Sequence, residues 1–383
     1  MPANFLIYGS YGFVGTTLTR MALERGLHPI LAGRNVEKLE AQVAETQLEG
    51  HAFDLSNSSG LDTILEDVVL VLNMAGPYRY TYKPMLEACL RTGTHYLDIT
   101  GEISVYQGLA ARDAEARQRG VLLLPGVGFD VVPTDCLALH LKQRLPTATH
   151  LSLAFSSSGP GGLPPGTAKT MLSSLPDGAV LLRQDGRIIS APWGKIRRVD
   201  FGQGLVEVTR MTWGDIFTAY YSTGIPNIED YNHLSEANRN MLGMLQKFGF
   251  LFRLSILRNL IYRQMPVGST PEQRARSSMS VWGEVKDDQG KVASARLHGP
   301  EGSVVWTSLC ALNTVQKVLS GDAPPGFQTP AKAYGADFVM QCEGVTREDI
   351  DKLYNHRIFY NSDHRSGFFP AETVDRVSYR SAH

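Results

Sequence analysis

Three glycines spaced three apart, Gly9, Gly12 and Gly15, follow the apolar run Phe5-Leu6-Ile7-Tyr8 and precede a helical pattern over residues 14–25. A strand that turns on glycine straight into a helix leaves the chain few options. The first glycine permits a tight turn, the second lets the backbone approach a bulky anion, and the third lets the helix lie close on the sheet. The helix N-terminus then offers free N–H groups and the positive end of its dipole to a pyrophosphate. Gly9, Ser10, Tyr11, Gly12, Phe13, Val14 and Gly15 are therefore expected to bind a dinucleotide.

The residues that follow keep the same texture. Short apolar runs at 29–32, 51–55, 68–73, 96–99 and 121–124 alternate with helical patterns at 36–46, 83–92 and 110–119, with Gly93 as a helix stop. Strict alternation of strand and helix implies an α/β fold with a doubly wound parallel sheet, a Rossmann domain over residues 1–132. With 383 residues the chain has room for a second domain. After residue 132 the pattern changes. A loop, Ser156-Ser157-Ser158-Gly159-Pro160-Gly161-Gly162, leads to a helix at 167–174. Short strand-like pieces fill 187–209, and a hairpin joins 278–287 to 291–298 around Asp288-Gln289-Gly290. A helix ends near Ser320-Gly321. This is an α+β substrate or dimerisation domain over 133–345, whose last helix can return to the Rossmann domain. The tail 346–383 is polar and rich in Tyr, Arg and His; it either docks back on the body or stays partly disordered.

Several classes are disfavoured. The 37 basic residues are balanced by 38 acidic ones, which leaves no electrostatic footprint for nucleic acid. Cys89, Cys136, Cys310 and Cys342 are scattered, with neither metal-ligand nor disulfide spacing, so no metal is expected. Free thiols, the lack of a signal-peptide pattern and the lack of a long apolar run suggest a cytoplasmic protein.

The end of the second strand selects the dinucleotide. An acid there holds the ribose 2′-hydroxyl of NAD; this chain reads Ala32-Gly33-Arg34-Asn35. Arg34 suits the 2′-phosphate of NADP. Asp54, after the third strand, either meets the adenine edge or caps the next turn, with Ser56 as a competitor for the cap. Asn73-Met74-Ala75-Gly76-Pro77-Tyr78 follows the fourth strand, and ligands in open α/β sheets lie beyond the carboxyl ends of strands. Asn73, Ala75, Gly76 and Pro77 are thus expected at the nicotinamide ribose.

These segments, with His95-Tyr96-Leu97-Asp98-Ile99-Thr100-Gly101-Glu102 and the run Pro125-Gly126-Val127-Gly128-Phe129-Asp130-Val131-Val132-Pro133-Thr134-Asp135, resemble the saccharopine dehydrogenase-like oxidoreductases. The branch most similar in style is the trans-acting enoyl reductases, and the likeness extends through Trp282-Gly283-Glu284, Ala295-Arg296-Leu297 and residues 326–335. It implies an NADP-dependent reductase acting on an unsaturated acyl (enoyl) or imine-type substrate, either a small molecule or a carrier-bound acyl chain. Val131-Val132-Pro133-Thr134 departs from the Ser-Ile-Pro-Ser often found in that branch. No set of fixed cations suited to two amino-acid moieties is evident, so the resemblance does not imply saccharopine as substrate.

Reduction by a nicotinamide needs a proton source for the atom that becomes negative. Tyr78, His95, Tyr96, Asp98, Glu102 and Asp130 are the candidates, with Tyr78 and Asp130 ranked first. Tyr78 is either a donor or an aromatic wall. Asp98 and Glu102 either form a polar cluster near the nicotinamide or cap the following helix. His95, opening a strand, is expected to be structural. None of the 15 tyrosines has a lysine four residues on, which disfavours a short-chain dehydrogenase. Neither a Gly-x-Ser-x-Gly elbow nor an H-E-x-x-H pair is present. The cleft is expected between residues 73–78, residues 128–130 and the loop 156–166, with the N-terminus of the helix at Thr167 and Lys169 nearby. Stretch 248–263 sets Phe248, Phe250, Leu251, Phe252, Leu254, Ile256, Leu257, Leu260 and Ile261 against Arg253, Arg258 and Arg263, without an acid. It packs on the body or on a second subunit of a homodimer, or else lies on a membrane surface. A non-catalytic NADP sensor or lipid-associated scaffold is the alternative to an enzyme.

Overall fold

The computed structural model describes residues 4–160, 180–247 and 268–350. The first sheet is built from β1 (Phe5–Tyr8), β2 (Ile30–Gly33), β3 (Gly50–Ala52), β4 (Leu70–Asn73), β5 (His95–Asp98) and β6 (Leu122–Leu124). Its helices are α1 (Phe13–Glu24), α2 (Val36–Thr46), α3 (Ser58–Leu65), α4 (Tyr78–Thr92), α5 (Ile103–Ala110) and α6 (Asp113–Gln118). All strand pairs are parallel, in the order β3-β2-β1-β4-β5-β6. The chain winds outward from β1 to β3, then crosses back to β4, so the winding direction reverses between β1 and β4. That reversal opens a crevice at the carboxyl ends of these two strands.

β1, β2 and β4 are buried along their whole length, because helices cover both sheet faces. On one face Phe5, Ile7, Leu70, Leu72, Leu122 and Leu124 pack against Leu18 and Ala22 of α1. On the other, Leu6, Val71, Tyr96 and Leu123 meet Met85, Leu86 and Cys89 of α4. Each such aliphatic side chain withdrawn from water contributes roughly 1.5–3 kcal/mol before entropy is counted.

Helix α7 (Val132–Arg144) leads away from this sheet to a second, mixed one. The latter comprises β7 (His150–Ser158), β8 (Val180–Gln184), β9 (Arg187–Ala191), β10 (Ile196–Asp200), β11 (Leu205–Met211), β12 (Asn227–Asn232), β13 (Ser278–Lys286) and β14 (Val292–Pro300). After it come β15 (Gly326–Phe327), which pairs parallel to β6 as the seventh strand of the first sheet, and β16 (Thr346–Ile350), which pairs with β14. The hairpin β13–β14 matches the sequence expectation. The second sheet runs β10-β11-β12-β7-β13-β14-β16, with β12 and β7 parallel and β8 joined to β12. One face is covered by α7, where Cys136, Leu137 and Leu141 meet Leu151, Leu153, Val281, Val285, Ala295 and Leu297. The other face curls on itself. Arg197 of β10 pairs with Glu284 of β13 at 2.5 Å and lies 4.8 Å over the Trp282 ring. A small core of Ala154, Val199, Phe201, Val208, Tyr231 and Trp282 closes inside the curl.

Two segments cross the division drawn at residue 132. Besides β15, the helix Thr307–Leu319 lays Ala311, Leu312, Val315 and Val318 on the α1 face of the first sheet. The first residues of the stretch set apart as a tail from 346, expected to dock on the body or stay partly disordered, form β16 on β14. Its exposed charged residues suit the edge of a sheet. The helix expected at 167–174 with Lys169, the loop beyond residue 160, the basic stretch 248–263 and the chain beyond residue 350 lie outside the described residues. Among the described residues no helix is long and apolar enough to cross a membrane.

Candidate functional site

At the end of β1, Gly9 adopts φ +88°, a left-handed conformation suited to glycine. A Cβ on Gly9 would lie 3.0 Å from the Ala75 nitrogen, so the loops after β1 and β4 touch. A Cβ on Gly15 would sit 2.5 Å from the Gly9 carbonyl oxygen and 2.6 Å from that of Ser10, so only glycine lets α1 come this close. Gly12 is the N-cap of α1; no side chain caps this end and the first turn holds no acid. The backbone thus presents an anion cradle at the crevice. The side chains of the motif are placed variously. Ser10 is buried, its hydroxyl donating to Gln42 at 2.7 Å, so its side chain turns inward to α2. The Phe13 ring packs under Gly268, with the Arg274 guanidinium 5.5 Å away, and Val14 is half-buried. Tyr11 lies over Gly33, and its hydroxyl accepts from the Asn35 N–H at 2.8 Å.

Arg34 is exposed at the end of β2 and forms no ion pair among the described residues. Asn35 is the N-cap of α2, its side chain accepting from the Lys38 N–H at 2.9 Å. Asp54 is exposed and accepts from the Ser56 N–H at 2.9 Å; this bond, with the Arg34 charge as a smaller contributor, lowers its carboxyl below the ordinary value. Neither Asp54 nor Ser56 caps α3; Asn57 does.

Beyond β4, Asn73 is buried. Its amide donates to Thr81 Oγ1 at 3.2 Å and its carbonyl accepts from the Ala75 N–H at 3.1 Å, while Thr81 donates to the Ala75 carbonyl at 2.8 Å. The loop Ala75-Gly76-Pro77 is thereby fixed against the first turn of α4, with the Gly76–Pro77 peptide cis. Glu102 clamps that same turn: it accepts from Tyr78 N–H at 2.8 Å, Arg79 N–H at 3.3 Å and Arg79 Nε at 3.1 Å. Glu102 thus stands at the N-cap position of α5 without bonding it through its side chain, which instead caps α4, the helix before it in sequence. Asp98, fully buried, accepts from the Tyr96 hydroxyl at 2.7 Å, Thr100 N–H at 2.9 Å and Gly126 N–H at 3.0 Å. Burial pushes its carboxyl up to about 6, against the opposing pull of these bonds. Asp98 ties the loops after β5 and β6 together. His95 accepts from the Leu122 N–H at 3.1 Å between those strands, a structural role.

Tyr78 and Asp130 stand apart from these fixed groups. Both are half-buried, and neither the Tyr78 hydroxyl nor the Asp130 carboxylate has a hydrogen-bond partner among the described residues. An Asp130 oxygen lies 3.3 Å from where a Gly101 Cβ would be. Burial of its carboxyl raises Asp130 to about 7. Burial, reinforced by the charges of Asp98, Asp130 and Glu102, raises Tyr78 well above the ordinary phenol value. Tyr78 thus keeps its proton at neutral pH, while Asp130 gains and loses one there. The backbone around Asp130 is held from the second sheet's side: Trp213 Nε1 donates to the Asp130 carbonyl at 2.8 Å, and Thr307 Oγ1 accepts from the Phe129 N–H at 3.2 Å. The Phe155 ring packs 4.7 Å from Trp213, giving this wall an aromatic character. Tyr78 lies close enough to Asp130 to feel its charge, which sets residues 73–78 near residues 128–130; of the loop 156–166, residues 156–158 belong to β7.

Sequence reasoning missed a deeper acidic pair. Asp215, opening the helix Asp215–Thr223, accepts from Thr134 Oγ1 at 2.6 Å, and Asp230 on β12 has two buried oxygens without a partner among the described residues. Burial, and for Asp215 the charge of Asp230, raises both well above the carboxylate range. No local pattern marks an acid inside a strand as polar as Asn227–Asn232. No group of three acids, histidines or cysteines suited to a metal occurs among the described residues.

A parallel sheet in the order 3-2-1-4-5-6, a glycine turn into α1 and arginine in place of an acid after β2 define a Rossmann-type dinucleotide-binding domain. Residues 5–124, which carry β1 to β6 of the first sheet, match the family model described as the saccharopine dehydrogenase NADP binding domain. A "Saccharopine dehydrogenase-like oxidoreductase" of Rattus norvegicus is 33% identical over 186 residues, 42% of this chain and 43% of the relative. A "Trans-acting enoyl reductase" of Mycobacterium leprae (strain TN) is 31% identical over 150 residues, 37% of this chain and 36% of the relative. These matches thus span under half the length of the curated relatives. The apo saccharopine dehydrogenase (L-Glu forming) of Saccharomyces cerevisiae superposes with a TM-score of 0.66 at 12% identity, covering 91% of this chain and all of that one. This likeness is one of fold, and it extends to the second sheet.

Proposed function

We propose that the chain is an NADP-dependent reductase acting on an unsaturated acyl (enoyl) or imine-type substrate, either small or carrier-bound. The observation that carries this reading is the pair Tyr78 and Asp130, two protonatable groups left without partners beside the β1–β4 crevice. The cradle fits a dinucleotide: a Cβ at Gly15 would collide with backbone at 2.5 Å, and the uncapped end of α1 suits a pyrophosphate. Gly9, Gly12, Gly15 and the backbone of Ser10, Tyr11, Phe13 and Val14 hold that group. Arg34 takes the 2′-phosphate, and the 73–77 loop lies along the nicotinamide ribose. Bound NADPH supplies a hydride. The chain's own residues supply the proton: Asp130, protonated below about pH 7, gives it to the substrate atom that gains negative charge. Tyr78 donates a hydrogen bond to the same developing charge. Trp213 and Thr307 hold the Asp130 loop in place, and the aromatic wall limits water.

Two titrations and one assay test this. NADPH should bind more tightly than NADH by fluorescence, and Arg34→Ala should weaken NADPH alone by about 10- to 100-fold, the range of a hydrogen bond to a charged group. On unsaturated thioesters and cyclic imines, Tyr78→Phe should lower turnover at least about tenfold with NADPH affinity unchanged. A Tyr78→Phe enzyme as fast as wild type removes tyrosine from the mechanism.

A further inference from the structure

Tyr11, from the loop after β1, packs against the end of β2, where an acid acts in NAD-binding domains. Its ring fills the space that Gly33 leaves empty: a Cβ on Gly33 would lie 2.4 Å from Tyr11 Cε1 and 2.8 Å from its hydroxyl oxygen. The ring is anchored among Leu31, Leu39 and Leu48, the small core under α2. Its hydroxyl accepts from the backbone N–H of Asn35, next to Arg34, at 2.8 Å. That bond fixes the oxygen and uses one of its lone pairs. The hydroxyl proton finds no acceptor among the described residues, and the ring remains half-buried. A phenol held by both ring and oxygen loses little rotational freedom when it donates, so its hydrogen bond comes at low entropic cost.

We infer that Tyr11 is a specificity-determining residue for the cofactor, donating its hydroxyl proton to the 2′-phosphate beside the Arg34 guanidinium. The inference rests on the NADP reading above and extends it. Arg34 is exposed, a charge at the end of a long side chain without fixed direction. Tyr11 supplies the direction, because both its ring and its oxygen are held. An oxygen-rich dianion accepts from a phenol and a guanidinium together, whereas the ribose hydroxyl of NADH gives the phenol only a neutral partner. Charge-assisted bonds are about twice as strong as neutral ones. Tyr11 therefore favours NADPH over NADH, and Gly33 is the position that makes room for it.

The test uses the full chain and needs no substrate. NADPH and NADH are titrated by fluorescence into wild type, Tyr11→Phe and Arg34→Ala. Tyr11→Phe keeps the ring and loses the donor. It should raise the NADPH dissociation constant about tenfold and leave that of NADH within about twofold. Thermal melts without cofactor check that the variant is folded; if it is not, Gly33→Ala, which displaces the ring and keeps the phenol, should reduce the NADPH preference instead. Equal losses for both cofactors, or no loss for either, overturn the Tyr11 assignment. A wild type without NADPH preference overturns the NADP reading itself, and is told apart because it is seen before any substitution.

Discussion

Asp130→Asn is the substitution from which most can be learned, because the amide imitates a carboxyl that cannot ionise. Folding raises the Asp130 carboxyl from 3.8 to about 7, chiefly by withdrawing it from water. A group bound to its proton more tightly when folded stabilises the fold fully below the unfolded value and loses that contribution as pH climbs through the folded one. For Asp130 the loss runs from about pH 4 to about pH 7. At about 1.4 kcal/mol per tenfold change, the full rise corresponds to about 4 kcal/mol. The residue is half-buried, and residual solvent screens its charge, which brings the expected difference to about 2 kcal/mol. Urea unfolding of both proteins at pH 4 and pH 8 measures it. Asp130→Asn should gain about 2 kcal/mol over wild type at pH 8 and differ little at pH 4. The other titrating acids, Asp98 among them, are common to both proteins and cancel in the comparison. In turnover, wild type should lose reducing activity above about pH 7 with a one-proton slope. A variant that tracks wild type in stability across this range would show that Asp130 ionises in contact with water, and its role as proton donor would fall.

Two further outcomes bear on the scaffold. Gly15→Ala brings a methyl group to 2.5 Å from the Gly9 carbonyl oxygen, where backbone cannot easily give way. It should cost about 3 kcal/mol in urea unfolding and abolish measurable NADPH binding; a loss under about 0.5 kcal/mol would mean that α1 can slide off β1. Glu102→Ala removes the acceptor of the first two N–H groups of α4, at about 1–2 kcal/mol, with Glu102→Gln recovering part of it in thermal melts. Equal melting of all three proteins would refute the cap.

The parts of this fold written in local chemistry are legible in the sequence itself. Gly9, Gly12 and Gly15 announce a turn whose constraints lie within seven residues, and the missing acid after β2 is a single position. The hairpin β13–β14 is legible through its Asp288-Gln289-Gly290 turn. What escapes depends on contacts across the chain. Glu102 lies next to α5 in sequence, yet it caps α4, because β4 and β5 pair in register and bring the two loops side by side. Ser10 stands inside the cofactor motif, but Gln42 of α2 draws its hydroxyl inward. β15 has two residues, too few to carry a strand period. β16 reads as tail because an edge strand with charged side chains has no apolar face to announce it. Tyr78 and Asp130 are marked by their places at strand ends; their lack of partners is a property of the folded chain alone.

The return of residues 307–327 to the first sheet sets an order of events during synthesis. Helix Thr307–Leu319 covers Phe5, Ile7, Leu70 and Leu72, and Phe327 pairs beside Leu123, so the nucleotide-binding layer is complete only after more than three hundred residues have left the ribosome. Until then the part of that face beside α1 lacks its cover. The nascent chain must hold an unfinished sheet, shielded by chaperones or by its own later segments, while the second sheet is made. The segment 5–124, which the family model recognises as a unit, is therefore not one in folding: it is the first-made half of a structure whose cover arrives last.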